Sequence, residues 1–385
     1  MLVRLFSRIK PGAVPLLLLA VLAPAMLAAC AGSPTGTTSG NCGATSDVST
    51  VSGNANAAGS ARSTDTTSVA RPLAAPPAQR LSPTSPRPLT IGLTYIPDVQ
   101  FAPFYVAKEL GYYQNAGLDV TLRHHGFTEG EFDALLAGHE DAIFASGDEV
   151  LQERSRGVPI TYVGQVFTKY PVTLIVPACS PIHSAADLRG HTIGVPGPYG
   201  ATYIGLLAIL QSAGLSKSDV HIQSIGFTQV TALLSNKVDA VMGYINNEPI
   251  QLKKAGFAIR TIPVSFPLIS NGLAALDPEL QAHPDEIRAL VAATLQGVDY
   301  TLAHPDQAFT ICKKYVPGLD DPAKAAAAQA ELTATLPLWE TPSGAKPGHS
   351  SADAWQQMAS LLQTQGQLNG SVNVSAVFSN DYLPS

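Results

Sequence analysis

Only four of the 385 residues are cysteines, two are tryptophans, and charged side chains make up just 14% of the chain. The cysteines (Cys30, Cys42, Cys179, Cys312) are scattered, with no CxxC pair. That spacing supports neither a zinc knuckle nor a disulfide framework, and Cys179 and Cys312 read as small buried hydrophobes. There is no basic block and the formal net charge is −6, so the electrostatic footprint of a nucleic-acid binder is missing. Neither HExxH nor GxSxG occurs, and no Ser-His-Asp grouping can be placed on one surface. His124 and His125 are adjacent on an expected strand, so their side chains point to opposite faces. They are expected as solvated or cleft-rim residues, and no metal site is expected. The longest apolar run, LLLLAVLAPAML, is too short and too proline-interrupted for a permanent membrane span.

What is present starts with that run. Arg4, Arg8 and Lys10 precede it and Leu27-Ala28-Ala29-Cys30 follows it, the order of an export signal with small residues before the cut. Cysteine directly after Ala29 resembles a bacterial lipobox, which would make residues 1–29 a signal peptide and Cys30 a lipidated first residue. An ordinary signal with a coincidental cysteine is the alternative. Acyl chains contribute about 0.8 kcal/mol per buried methylene, so a multiply acylated Cys30 would hold the chain to a membrane. Residues 30–88 are Ser, Thr, Gly, Ala, Pro and Asn with hardly a large apolar side chain. Such a segment buries too little surface to offset chain entropy and is expected to be a tether spanning about 40 Å. Beyond it, a 45% hydrophobic composition suffices for a large core or two domains.

The rest is organised around Leu89 to Val120. LTIGLTY alternates and is rich in β-formers. Pro97 then breaks the ladder, FAPFYVAKELGYYQNAG forms a short helix bounded by Gly111 and Gly117, and LDVTLRHH returns as a strand. Ligands sit where the strands of such a βαβ unit end. The turn offers Tyr95, Asp98, Gln100 and Phe104, flat faces with a few polar handles suited to a small planar ligand; any one of these aromatics is equally well a core residue. Further along, Asp148 in Ser146-Gly147-Asp148-Glu149 follows an apolar strand and reads as a cleft carboxylate or a helix N-cap. Tyr170 and Tyr199 are candidates to sandwich a ring. Gly200 and Thr202 would aim free amides and a hydroxyl from a helix start. Asn247 and Glu248 follow a buried strand, where the carboxylate either accepts paired hydrogen bonds or stabilises a helix dipole. Asn271 is a weaker candidate.

The run YIPDVQFAPFYVAKELGYYQNAGLDV resembles the substrate-binding proteins of ABC importers, in the branch of nitrate, sulfonate and taurine binders. More particularly it resembles the pyrimidine-precursor (thiamine-type) binders and their relatives the pyrimidine synthases, with a riboflavin-binding branch similar too. The likeness spans Leu89 to Leu319, and Asp187-Leu188-Arg189-Gly190-His191-Thr192-Ile193-Gly194-Val195 is similar to the family's entry to its second lobe. An asparagine–glutamate pair of the pyrimidine binders matches Asn247 and Glu248. The resemblance implies an α/β, type II periplasmic binding protein fold, two lobes on a two-crossing hinge around a central cleft. A paired echo supports two lobes of like build: Gly126-Phe127-Thr128 before EGEFDALLAGHEDAIF, and Gly226-Phe227-Thr228 before QVTALLSNKVDAVM. The expected division is lobe 1 at 89–177, lobe 2 at 178–266, a helical return to lobe 1 at 267–340 and a C-terminal wrap at 341–385. The crossings are expected near Val176 to Pro181 and Pro263 to Asn271.

The implied activity is capture of a small heteroaromatic nutrient, a pyrimidine precursor first, a riboflavin or sulfonate next. The implied partners are a permease and an ATPase, with the binder a monomer. The synthases need pyridoxal phosphate, iron and a cysteine-rich motif that nothing here matches, so no cofactor and no enzyme activity are expected. With no arginine among the candidates, a neutral or amino-bearing ring is favoured over an anion.

Overall fold

The computed structural model describes residues 86–126 and 129–384. The signal peptide, Cys30 and nearly all of the tether lie outside the described residues. The tether's last two residues, Arg87 and Pro88, already belong to the first strand.

Two five-stranded sheets carry the molecule. The first holds β1 (Arg87–Leu93), β2 (Leu118–His124), β3 (Ala142–Ser146), β4 (Ile160–Gln165) and β10 (Asn271–Leu276), in the order β2-β1-β3-β10-β4. The second holds β5 (Val172–Pro177), β6 (Thr192–Val195), β7 (His221–Ser224), β8 (Ala240–Tyr244) and β9 (Ile259–Pro263), in the order β7-β6-β8-β5-β9. In each, three parallel strands are followed by one antiparallel strand, β10 or β5, that the chain lends across from the other half. This exchange makes the two sheets near copies, as a type II binding fold requires.

Local chemistry explains how the first sheet reaches the cleft. After β1, Asp98 Oδ1 accepts the Gln100 amide at 3.0 Å and starts a short 3-10 turn, Val99–Phe101, that runs into α1 (Ala102–Glu109). Gly111 at φ 73° ends that helix where an L side chain would be strained. Behind β3, α2 (Gly147–Ser155) starts with the Ser146 amide donating to Glu149 Oε2 at 2.8 Å. In the second half, α3 (Gly200–Ser212) is buried from Ala201 to Leu210, so its apolar character runs all round rather than in a stripe. The helix α4 (Glu248–Lys254) follows β8.

The C-terminal helices complete the first half and then reach across. The helix α5 (Pro284–Ala303) packs on α1 so closely that a Cβ on Gly297 would lie 2.1 Å from the Pro103 carbonyl oxygen. α6 (Pro322–Trp339) ends where the Leu338 carbonyl accepts the Thr168 amide at 2.7 Å. α7 (Ala352–Thr364) lies against both α2 and α3. Its Trp355, Met358, Leu361 and Leu362 share one buried cluster with residues of both halves. The C-terminal stretch is thus an apolar brace across the rear of the two halves.

Two expectations are corrected. Val172–Pro177 belongs to the second sheet, so the first crossing runs through residues 166–171 and not 176–181, and lobe 1 ends before 177. An apolar strand reads the same in either sheet, which is why its sequence misplaced it. Cys179 is no buried hydrophobe: it is exposed just beyond β5 and disulfide-bonded, whereas Cys312 is a free, buried thiol.

Candidate functional site

The strand ends of both sheets open onto one cleft of about 800 Å³, the position where doubly wound sheets take ligands. Nine of the twelve expected binding residues line it: Tyr95, Asp98, Gln100, Tyr199, Gly200, Thr202, Asn247, Glu248 and Asn271. Tyr95, Asp98 and Gln100 come from the β1 turn. Tyr199, Gly200 and Thr202 come from the start of α3, where Gly200 at φ 70° turns the chain into a helix whose N-terminus has no side-chain cap. Asn271 opens β10, and its carbonyl takes the Val166 and Phe167 amides of the first crossing at 3.1 and 2.9 Å.

Three expected residues lie elsewhere. Phe104 is fully buried, edge-on to Phe144 at 5.2 Å and to Phe101 at 6.5 Å; the face of α1 that carries it turns inward, and Phe101 and Phe144 meet the cleft instead. Asp148 is also fully buried, 3.4 Å from the Tyr170 hydroxyl, which donates to the Ala201 carbonyl at 3.0 Å. Asp148 and Tyr170 therefore bind the start of α2 to the start of α3 behind the cleft, and the proposed Tyr170–Tyr199 sandwich does not form. Burial and the nearby Glu149 push the Asp148 carboxyl up to about 7.

Glu248 occupies the first turn of α4, and its Oε2 accepts the Tyr244 amide at 2.7 Å. Burial raises its carboxyl to about 6. Glu248 is therefore a helix-start acid that also lines the cleft. Asn247, the residue before α4, accepts from Gln251 Nε2. Burial raises Asp98 and lifts the Tyr95 phenol to about 12, with Asp98, Glu248 and Glu331 adding to the effect.

Several lining residues escaped the sequence reading. Glu331, on α6, is raised to about 7 by burial and then by Asp98 and Glu248. Asn246 is buried and hydrogen-bonds Thr335 of α6 at 2.9 Å through Nδ2. Of the two histidines expected as solvated or cleft-rim residues, His125 lines the cleft but is buried, with Nε2 at 2.7 Å from Glu140 Oε1, while His124 sits between Tyr105 and the Tyr95 carbonyl. Asn246 neighbours an expected site and was within reach of the sequence; Glu331 sits on a helix whose docking no local pattern discloses.

Charge decides what the cleft can hold. Eight carboxyl residues line it against one arginine, Arg156, which pairs with Glu153. Nearby Arg123 is engaged by Glu129 and Glu140, both at 2.7 Å. The aromatic lining includes Tyr95, Phe101, Phe132, Tyr244 and the outward-facing Tyr199 and Phe227. Such a site accepts hydrogen bonds and covers flat rings; it offers an anion little. Among the described residues no group of three or more His, Cys, Asp or Glu is arranged for a metal ion, and no helix is long and apolar enough to cross a membrane.

Two matched sheets, each completed by a strand from the other half and open to a shared cleft, define a two-lobed binding fold of the type II periplasmic class. The same fold appears in the periplasmic aliphatic sulphonate binding protein SsuA from Escherichia coli, with a TM-score of 0.62 at 18% identity over 76% of this chain and 92% of that one. The chain belongs to the NMT1/THI5-like family, whose model matches residues 98–308. It is 34% identical over 327 residues to the riboflavin-binding protein RibY of Chloroflexus aurantiacus, covering 83% of this chain and 92% of that one. It is 26% identical over 299 residues to a formylaminopyrimidine-binding protein of Halalkalibacterium halodurans, covering 75% and 88%.

Proposed function

We propose that this protein is the extracytoplasmic solute-binding component of an ABC importer and that its ligand is a neutral flavin of the riboflavin type. The observation that carries this reading is the cleft: about 800 Å³, aromatic at its mouth, and lined by carboxyls with a single, paired arginine. A single pyrimidine ring leaves most of that volume empty, whereas a three-ring flavin with a side chain fills more of it and brings both flat apolar and polar parts to a mixed lining. The likeness to RibY over nearly its whole length supports the same choice. A sulfonate or nitrate would meet like charge across the cleft.

The second reading, a formylaminopyrimidine-type ligand, is favoured by one feature: Glu248 beside Asn247, a pair suited to an amino-pyrimidine edge. An enzyme of the synthase type is disfavoured, because the chain has no cysteine-rich motif and Cys312 is isolated in the core. The ligand enters between the lobes, the lobes close on the two crossings, and a permease with its ATPase reads the closed form. The binder works as a monomer leashed through acylated Cys30.

Thermal shift against riboflavin, hydroxymethylpyrimidine, formylaminopyrimidine, taurine and nitrate tests the ligand. A shift with riboflavin alone is expected, since ligand at 100-fold its dissociation constant adds about 2.7 kcal/mol. A shift with a pyrimidine and none with riboflavin replaces the first reading by the second. For the anchor, Cys30→Ser is expected to move the protein from the membrane pellet to the soluble fraction; unchanged pelleting contradicts lipidation at Cys30.

A further inference from the structure

One end of the cleft is rich in acceptors, and one buried amide oxygen there has no partner. Asp98 from the β1 turn, Glu248 from α4 and Glu331 from α6 all line it, and α6 packs on both the Val99–Phe101 turn and α4. Asn246 joins them from the β8–α4 turn. Its orientation follows from the chemistry of its partner. The Thr335 hydroxyl has one proton and gives it to the Glu331 carbonyl at 2.7 Å, so towards Asn246 it can only accept. Nδ2 of Asn246 must be the atom that faces it, at 2.9 Å. Oδ1 is left buried with no hydrogen-bond partner in a residue 6% exposed that lines the cleft. An unsatisfied buried acceptor of this kind costs about 1–3 kcal/mol until a donor arrives.

From this arrangement we infer that Asn246, Glu331, Glu248 and Asp98 form a subsite for a neutral polyol chain, distinct from the aromatic walls that cover the ring. The inference rests on the flavin reading above and assigns the ribityl chain to this end. Hydroxyl groups suit it better than an ammonium does. Each donates to an acceptor such as Asn246 Oδ1 and can also accept, and a carboxyl cluster that is partly protonated near neutral pH offers both roles. A ring edge has its donors and acceptors fixed in one plane and cannot follow groups carried by the β1 turn, the β8–α4 turn and α6. A phosphate at the chain's end would meet carboxyls on three elements.

The test pairs two flavins on the mature protein, riboflavin and lumiflavin, which carries a methyl group in place of the chain. Affinities are measured by quenching of flavin fluorescence for wild type, Asn246→Ala and Glu331→Ala. Wild type is expected to prefer riboflavin by tenfold or more, and both variants to lose most of that preference while holding lumiflavin within about twofold. Glu331→Ala keeps the experiment decisive if Asn246→Ala does not fold. Equal loss for both flavins, or no change in the ratio, overturns the subsite alone. Absence of binding by either flavin to wild type overturns the flavin reading and the subsite with it.

Discussion

The two halves meet twice, and the two meetings could hardly differ more. At the rear, α2, α3 and α7 close on one another through Trp355, Met358, Leu361, Leu362, Leu206 and Leu210, all buried. At the front, the same halves are held apart by a cleft lined with carboxyls. Apolar surface seals a seam at roughly 25 cal/mol per Å², whereas burying carboxyls costs free energy until a ligand supplies further donors. On the proposed function, the rear seam stays closed while the front opens and shuts about the two crossings. The hydrogen bonds from the Tyr170 hydroxyl to the Ala201 carbonyl and from the Thr168 amide to the Leu338 carbonyl mark where one gives way to the other.

Substitutions at the two meetings should fail in different ways. Trp355→Ala, which empties the rear seam, is expected to lower stability by about 3–5 kcal/mol in a denaturant titration, with ligand affinity of the folded fraction little changed. A large affinity loss at unchanged stability would show that the rear seam is not a separate structural unit. In the cleft, Glu248→Ala should weaken ligand binding more than tenfold by calorimetry while the fold persists. Flavin mononucleotide should bind at least tenfold more weakly than riboflavin, because its phosphate enters a field of like charge; equal affinity would mean the carboxyls do not select against anions.

The smallest effect is in pH. Glu248 and Glu331 have folded values raised to about 6 and about 7 from 4.5. Raised carboxyls favour the protonated fold, so their contribution to stability is fully present below about pH 4.5 and is lost as pH rises through 6 and 7. Glu331→Gln removes its share, so the variant should melt with wild type at pH 4.5 and above it at pH 8, by about 1 kcal/mol once solvent screening is allowed for. A lower melting point than wild type at pH 8 would assign Glu331 a favourable charge–charge role instead.

Much of this was legible in the chain. The alternation of LTIGLTY, the proline break and the two glycine stops fix a βαβ unit whatever surrounds it, and its turn faces the cleft. Side-chain direction was less legible. Phe101 and Phe104 sit three residues apart, and only tertiary packing decides which one meets the cleft. Asp148 and Tyr170 have the residue types of a binding site but serve the seam behind it. Val172–Pro177 is apolar enough for either sheet. Glu331 and Thr335 are one helical turn apart on α6, and their bearing on Asn246 depends on a docking nearly ninety residues away in sequence.

Calorimetric titration of the protein with riboflavin at pH 7 tests the central claim most directly. Saturable one-to-one binding, weakened more than tenfold in Glu248→Ala, is the predicted result. Heat only with formylaminopyrimidine or hydroxymethylpyrimidine, and none with riboflavin, would contradict it.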